Sequence, residues 1–360
     1  MATLGLRRKH YERDLSRRVA LQQRDLHILA AVFRHRFLSS HDILSFAAGS
    51  KQHVRKRLRA LVDAGYLIRV RNPEPRICNA GSVPLLYGIS SNAAEALASA
   101  GIAPRDHIDW TKRNGEVNDP HKHLGIKVVP HATRLASAML EIERYVQQSN
   151  GAVRLITERE ILATLAPPPT HKERYPFKWH AEFLHPRIWH DDRGEEQVSI
   201  EPRRVGIAPD KIFGLEFADR PEGKNRRFYF LEYDRATSAV SLSDASDYGQ
   251  FEKSSIYKKL VGYSSTWLQG IHTKRFGMTS FQALFITESE ARVRTMVTAF
   301  ALIQLRVFPA WADVVSDRLE QLRRIFRISF RTSVDPNRLL NYAWVDGMGA
   351  PKSLSLPEGY

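Results

Sequence analysis

Ser50-Lys51-Gln52-His53-Val54-Arg55-Lys56-Arg57-Leu58-Arg59-Ala60-Leu61-Val62-Asp63-Ala64-Gly65 decides how the first ninety residues fold. Val54, Leu58, Leu61 and Val62 recur at i, i+4, i+7 and i+8, which makes one apolar stripe on an α-helix. Lys51, Gln52, Arg55, Lys56 and Arg59 fall off that stripe and point outward. Ser50 suits the N-cap, and Gly65 terminates the helix. Upstream, Leu26, Leu29, Ala30 and Phe33 repeat at helical spacing, widened by Ile28 and Val32. That helix opens at Gln22-Gln23-Arg24-Asp25 and ends near Arg36-Phe37-Leu38. Ser39 or Ser40 then caps a short helix over His41 to Phe46, and Ala47-Ala48-Gly49-Ser50 is a tight turn of small residues.

Helix, short helix, turn and basic helix in this order make a helix-turn-helix. Two β-rich stretches follow, Tyr66 to Arg71 and Val83 to Ile89, broken by Asn72-Pro73-Glu74-Pro75-Arg76. They read as the hairpin "wing" of a winged helix, with Arg69, Arg71 and Arg76 placed to touch backbone phosphates. A further helix, Asn92 to Ala100, stops at Gly101. The partner this implies is double-stranded DNA. The third helix would lie in the major groove, where arginine bonds guanine bidentately and glutamine does so with adenine. His53 reads as a surface or phosphate contact. The competing interpretation is a winged helix used only for protein contacts, since fold alone does not fix function.

The chain has 360 residues, which favours two domains over one. Hydrophobic residues make up 43%, enough to fill real cores. The formal charge is +15, and it is concentrated: residues 1–71 hold sixteen Lys and Arg against five Asp and Glu. A basic block of this kind fits a phosphate backbone. A merely soluble basic surface and a patch for anionic lipid are the plainer alternatives. Cys78 is the single cysteine, so neither an internal disulfide nor a cysteine-rich zinc site is expected, in keeping with a reducing cytoplasm. Met1 to Arg18 is charged and has no apolar core of a signal peptide, and no run of about 18 apolar residues predicts a membrane span.

The remainder divides into a lead-in over 1–21, the first domain over 22–102, a polar linker over 103–120, a second domain over 121–335 and a tail over 336–360. A long helix is expected from His121 to about Gln148, kinked or split at Pro130. Val153 to Ile156 reads as a strand. Residues 166–203, rich in Pro, His and aromatics without a clear period, read as a long loop or insertion. Strands are then expected around Val205 to Leu215, over Phe228 to Arg235, over Phe281 to Thr287 and over Phe326 to Phe330. Between them lie a helix carrying Lys253, Lys258, Lys259 and Tyr263 and another over Glu288 to Leu305.

The chemistry this second half suggests is metal-dependent phosphodiester cleavage. Pro209-Asp210 ends one apolar stretch, and Glu232 and Asp234 end a strand that looks buried. Asp210 and Glu232 on adjacent strands can converge on one Mg²⁺, which prefers one or two carboxylates with waters and phosphate oxygens. A lysine, Lys258 or Lys259, would stabilise the charged transition state or orient a water. Each piece also has a bland reading: a turn at Pro209-Asp210, carboxylates exposed or paired with Arg226, Arg227 or Arg235, and lysines on a solvated helix face. The sets His121, His123, His131 and His180, His185, His190 with Asp191-Asp192 lack zinc spacing and read as surface or structural histidines.

The order of these features resembles the replication-relaxation family of plasmids and other mobile elements. The stretches that carry the resemblance are RDLHILAAVFRHRFLSSHDIL and VRKRLRALVDAGYLIR in the first domain. In the second they are Pro209-Asp210, Leu231-Glu232-Tyr233-Asp234-Arg235-Ala236-Thr237, and Tyr257-Lys258-Lys259-Leu260 with Tyr263. It covers roughly residues 22–100 and 120–335. The resemblance implies an α+β or α/β chain: a winged helix followed by a restriction-endonuclease-like, PD-(D/E)XK core, a mixed sheet flanked by helices. It assigns Asp210 and Glu232 as metal carboxylates. The sequence departs from the pattern at Asp234, where the motif has lysine. Either Lys258 or Lys259 has taken that role, or the site binds without cleaving.

Three functions follow as expectations: a DNA-binding protein acting in replication, relaxation or mobilisation of a plasmid or mobile element, in company with other such proteins; a Mg²⁺-dependent nickase or endonuclease; and a dimeric winged-helix repressor.

Overall fold

A buried ion pair ties the first helix to the third. α1 (Gln23–His35) carries Asp25 in its first turn, 0% exposed and accepting the Gln22 backbone N–H at 2.7 Å. Arg57 reaches it from α3 (Lys51–Asp63), donating through Nε to Oδ1 at 2.8 Å and through Nη2 to the Ala20 carbonyl at 2.6 Å. The Arg57 guanidinium is held above its ordinary pKa by that hydrogen bond, against the pull of burial. The computed structural model describes residues 19–70, 84–103, 128–167, 176–235, 255–306, 318–330 and 343–352. Contacts divide the chain into two units, Met1–Leu140 and Glu141–Tyr360.

In the first unit, β1 (Leu38–Ser39) leads directly into α2 (Ser40–Phe46). Ser39 and Asp42 form a capping box: the Asp42 N–H donates to Ser39 Oγ at 3.1 Å, and the Ser39 N–H donates to Asp42 Oδ2 at 2.9 Å. Ser50 caps α3 by accepting the His53 N–H. β2 (Leu67–Val70) and β3 (Leu86–Ile89) pair antiparallel, and β1 joins on the far side of β3, giving the order β1-β3-β2. β1 was not anticipated. Two residues leave no period to read.

α4 (Ser91–Ser99) follows, and α5 (Val128–Gln148) carries the chain across the division between the units. Pro130 does not split α5. The described helix runs through it unbroken from Val128 to Gln148, and the expected helical residues 121–127 lie outside the described residues. Ile28, Leu29, Val32, Leu38, Ile43, Val54, Leu58, Leu61, Leu67 and Tyr87 make one core, joined by Ala136 and Leu140 of α5.

The second unit is mixed α+β, with a multi-strand mixed sheet flanked by helices. β4 (Val153–Ile156) and α6 (Glu158–Ala163) come first. β5 (Trp179–His190) and β6 (Glu196–Ile207) then pair antiparallel over twelve residues each. The reading of 166–203 as a loop is therefore wrong for its larger part. β7 (Lys211–Phe217), β8 (Arg226–Asp234), α7 (Ile256–Leu268), α8 (Ile271–Phe276), β9 (Phe281–Thr287) and α9 (Glu290–Arg306) follow. α10 (Leu319–Ile325), β10 (Phe326–Phe330), β11 (Trp344–Val345) and β12 (Pro351–Lys352) end the described chain.

The large sheet has the order β12-β11-β10-β9-β8-β7-β4. β8, β9 and β10 are parallel to one another, while β7 and β11 run antiparallel to their neighbours. Residues 344–352, assigned to a tail by sequence, thus extend the sheet at one edge. The expected linker 103–120 lies outside the described residues apart from Ala103.

α7 packs between the hairpin base and the sheet. Trp179 donates through Nε1 to Thr266 Oγ1 at 2.8 Å, and its ring lies 5.2 Å from Phe230. A Cβ on Gly262 would sit 2.6 Å from Ile207 Cγ1, so glycine is what lets β6 lie against the helix.

Two stability outcomes follow. Arg57→Ala strands a fully buried carboxylate and should lower the unfolding free energy by about 3 kcal/mol, against less than about 0.5 kcal/mol for the exposed Lys56→Ala. Gly262→Ala should cost about 1–3 kcal/mol through overpacking. Urea unfolding of the full chain measures both. Equal effects of Arg57→Ala and Lys56→Ala would contradict the role given to the ion pair.

Candidate functional site

Because β7 runs antiparallel to β8, the start of one lies beside the end of the other. Lys211 pairs with Leu231, and the same register continued by one residue sets Asp210 opposite Glu232. Asp210 Oδ2 accepts the Tyr233 backbone N–H at 2.8 Å, which pins the carboxylate to the β8 backbone. Glu232 is 1% exposed. Its two oxygens are each engaged from α7: Tyr263 donates to Oε1 at 2.6 Å, and Lys259 donates through Nζ to Oε2. Lys259 and Tyr263 are four residues apart, so one face of the helix presents both.

Asp234 sits two residues on and is likewise buried. Arg292 of α9 grips it with Nε at 2.6 Å and Nη2 at 3.2 Å, and Thr287 Oγ1 donates at 3.3 Å. Thr287 is the register partner of Asp234 on β9. Glu232 and Asp234 share a strand face, as their spacing of two requires.

Burial pushes the Glu232 carboxyl up, to about 7. The Lys259 ammonium pulls it back, and the nearby Asp210 charge pushes it further up. Burial also works against the charge on Lys259, but Glu232 and Asp210 outweigh it and hold the ammonium above its ordinary pKa. The Tyr263 hydroxyl is raised too, by burial and then by Glu232. It is therefore a firm donor to the carboxylate.

Of the residues singled out by sequence, the structure gathers Asp210, Glu232, Asp234 and Lys259 at one corner of the sheet. Lys258, adjacent in sequence, is half-buried, and the Glu232 contact is made by Lys259. Arg226 pairs with Glu216 at 2.7 Å, away from Asp234. Sequence reasoning missed Arg292. It lies 58 residues from its partner on a helix otherwise read only for its period, and no local signal marks it.

The donors suit a hard cation in kind, being carboxylates on adjacent strands. Asp210 and Glu232 are the residues that would hold one, with Glu232 already bridged to Lys259 and Tyr263. Among the described residues no group of three or more His, Cys, Asp or Glu is placed to hold a metal. His180 and His190 are ten residues apart on one extended strand, far too distant to share an ion. His121 and His123 lie outside the described residues.

In the first unit, Lys51, Gln52, His53, Arg55, Lys56 and Arg59 are all exposed along α3, while Val54, Leu58, Leu61 and Val62 are buried. Arg69 on β2 is half-buried, and Arg71 and Arg76 lie outside the described residues.

A family model described as Replication-relaxation matches residues 29–280, well over half of the chain, including α3 and Asp210, Glu232, Lys259 and Tyr263. The chain belongs to the replication-relaxation family. The LEYDRAT and KKLxxY stretches that carried the resemblance hold Glu232, Lys259 and Tyr263, which the fold brings into contact. Family membership suggests a role in plasmid or mobile-element replication or relaxation. No curated protein and no solved structure gives a significant match. No helix among the described residues is long and apolar enough to cross a membrane.

The Glu232–Lys259 contact makes a pH prediction. A carboxyl whose folded pKa is raised from about 4.5 to about 7 favours the fold fully below the lower value, and loses that contribution as pH climbs to the upper one. Lys259→Met removes the cation that restrains the shift, so its cost should grow with pH. In buffer with EDTA it should be about 1–3 kcal/mol larger at pH 8 than at pH 5. Unfolding curves at the two pH values decide it, and an equal cost at both would mean that Glu232 is not ionised against Lys259.

Proposed function

We propose that this replication-relaxation protein binds double-stranded DNA through its first unit, acting on a plasmid or other mobile element. The supporting observation is the segregation of α3, with its apolar stripe buried and Lys51, Gln52, Arg55, Lys56 and Arg59 exposed together. Helix, short helix, turn, basic helix and hairpin follow the winged helix-turn-helix order. In such a domain the exposed start of the third helix enters the major groove. Arg55 and Gln52 are the base readers in this reading, and Lys51, Lys56 and Arg59 contact phosphate. Arg69 adds a phosphate contact from β2.

Arg57 is excluded from the interface, because its guanidinium is committed to Asp25 and Ala20.

A second reading is favoured by Asp210 standing opposite Glu232 with Lys259 between the helix and the strand. In it the second unit is a PD-(D/E)XK-like nickase. Asp210 and Glu232 would hold Mg²⁺, which when bound supplies charge stabilisation and an activated water for phosphodiester hydrolysis. Lys259 stands where the motif needs a cation, replacing the lysine that the strand lacks at Asp234.

If about six phosphates are contacted, affinity for duplex DNA should fall roughly 10³-fold between about 50 and 200 mM salt. Lys51→Ala with Lys56→Ala should flatten that slope by about two contacts, whereas Arg55→Ala should relax sequence preference. Fluorescence anisotropy with labelled duplexes measures both, and salt-independent binding would sink the DNA reading. For the second reading, supercoiled plasmid is incubated with Mg²⁺, Mn²⁺ or EDTA. Nicking that needs metal and is abolished by both Asp210→Ala and Glu232→Ala makes the protein an enzyme. A mobility shift without nicking leaves DNA binding as the function.

A further inference from the structure

The β5–β6 hairpin changes the side on which it is apolar. At its base, Trp179, Ala181, Phe183, Val205 and Ile207 are buried, and Trp179, Val205 and Ile207 lie against α7. These positions share one face of the ribbon, because residues two apart and register partners point the same way. Beyond Phe183 that face carries His185, Arg187, Trp189, Gln197, Ser199 and Glu201, a mostly polar set. The opposite face does the reverse. Its base positions are His180, Glu182 and Arg204, and its outer positions are Leu184, Pro186, Ile188, Val198, Ile200 and Pro202. Ile200 is 57% exposed, Pro202 is exposed and Leu184 is half-buried.

A two-stranded ribbon cannot bury a second face by itself. Two features limit what can cover it. Pro186 and Pro202 lack the N–H that an added edge strand would need, so the covering contact is face to face. Residues 184–202 hold two arginines against five carboxylates, opposite in sign to the chain as a whole, which disfavours a phosphate backbone.

The charges at the two ends of the apolar face fit a second copy of itself. At the base Glu182 is the register partner of Arg204, and at the tip His190 is the partner of Glu196. All four are exposed. A two-fold axis across the strands would set the tip of one hairpin over the base of the other, with Glu196 over the partner's Arg204 and His190 over the partner's Glu182. A two-fold axis along the strands would set β5 over the partner's β6, with Glu182 over the partner's Arg204 and Glu196 over the partner's His190. In both arrangements each glutamate meets an arginine or a histidine and no two like charges face each other, as a self-complementary isologous contact requires.

We propose that the outer apolar face of the β5–β6 hairpin, centred on Ile200, is a homodimer contact between two copies of this chain. The strip is roughly 20 Å long and 10 Å wide, well below the roughly 800 Å² per partner of a standard interface, so the dimer is weak and forms in the micromolar range. The proposal is independent of DNA binding and of any nuclease activity.

Sedimentation velocity of the full chain without DNA, from about 1 to 200 µM, should show mass rising with concentration towards the dimer. Ile200→Asp should abolish that rise while leaving the melting temperature unchanged, since the position is exposed. Glu196→Arg should weaken association at least about tenfold. Adding Arg204→Glu should restore it if the axis crosses the strands, and adding His190→Glu should restore it if the axis runs along them. Restoration by one double variant and not the other supports the proposal and fixes the arrangement. A constant monomer mass, association that survives Ile200→Asp, or failure of both double variants overturns it. So does a loss of DNA affinity in Ile200→Asp with no change in mass, which would give the face to nucleic acid.

Discussion

Glu232 and Asp234 lie buried on a strand inside a sheet, and taking a carboxylate out of water costs several kcal/mol per ion unless a partner offsets it. Both partners come from helices that the topology obliges to be there. A parallel β8-β9-β10 order needs a crossover after each strand, and those crossovers include α7 and α9. α7 brings Lys259 and Tyr263 to Glu232; α9 brings Arg292 to Asp234. Remove the cations and the strand cannot keep its charged end. Remove the parallel order and the cations have no reason to be near it. The aromatic packing depends on the same geometry, since Tyr263 stacks on Phe230 at 5.5 Å and meets Phe285 edge-on while its hydroxyl holds Glu232.

The first unit solves a similar problem at Asp25, and the solution shapes its surface. Arg57 belongs by sequence to the most basic run in the chain, yet it turns inward to the buried carboxylate. The remaining cations of α3 are left on the exposed side, with the apolar stripe beneath. One residue of the run holds α1 against α3, and the others form the outward charge.

What was legible in the sequence was whatever repeats locally. The boundaries of α1, α2 and α3 could be read to within a residue or two from their apolar stripes and from Ser39 and Ser50 as caps. β9 and β10 could be read residue for residue, because short apolar runs between turns have few other fates. The hairpin could not. Its alternation is real, but its apolar positions change parity between Phe183 and Leu184, and a reader looking for one period finds none. Asp210 opposite Glu232 was foreseeable from adjacent strands. Arg292 was not, because a contact across 58 residues depends on where a crossover helix lands and not on any neighbour in sequence. Lys259 over Lys258 was a matter of helical phase: only Lys259 shares a face with Tyr263.

Asp234 bears on what the corner of the sheet can do, being a second buried carboxylate on β8. Arg292 answers that charge, binding Asp234 through two nitrogens. Lys259 hydrogen-bonds Glu232, and the Asp210 and Asp234 charges act on its ammonium as well. Burial and the Asp210 charge together carry the Glu232 carboxyl to about 7 despite its lysine. A divalent cation, if one were held by Asp210 and Glu232, would have to displace any proton on Glu232 and loosen Lys259 from Oε2. Near neutral pH, proton and metal would then compete for the same oxygen. Any metal-dependent chemistry at this corner must strengthen as pH rises through 7, whereas a site that only binds DNA through the first unit has no such dependence on Glu232.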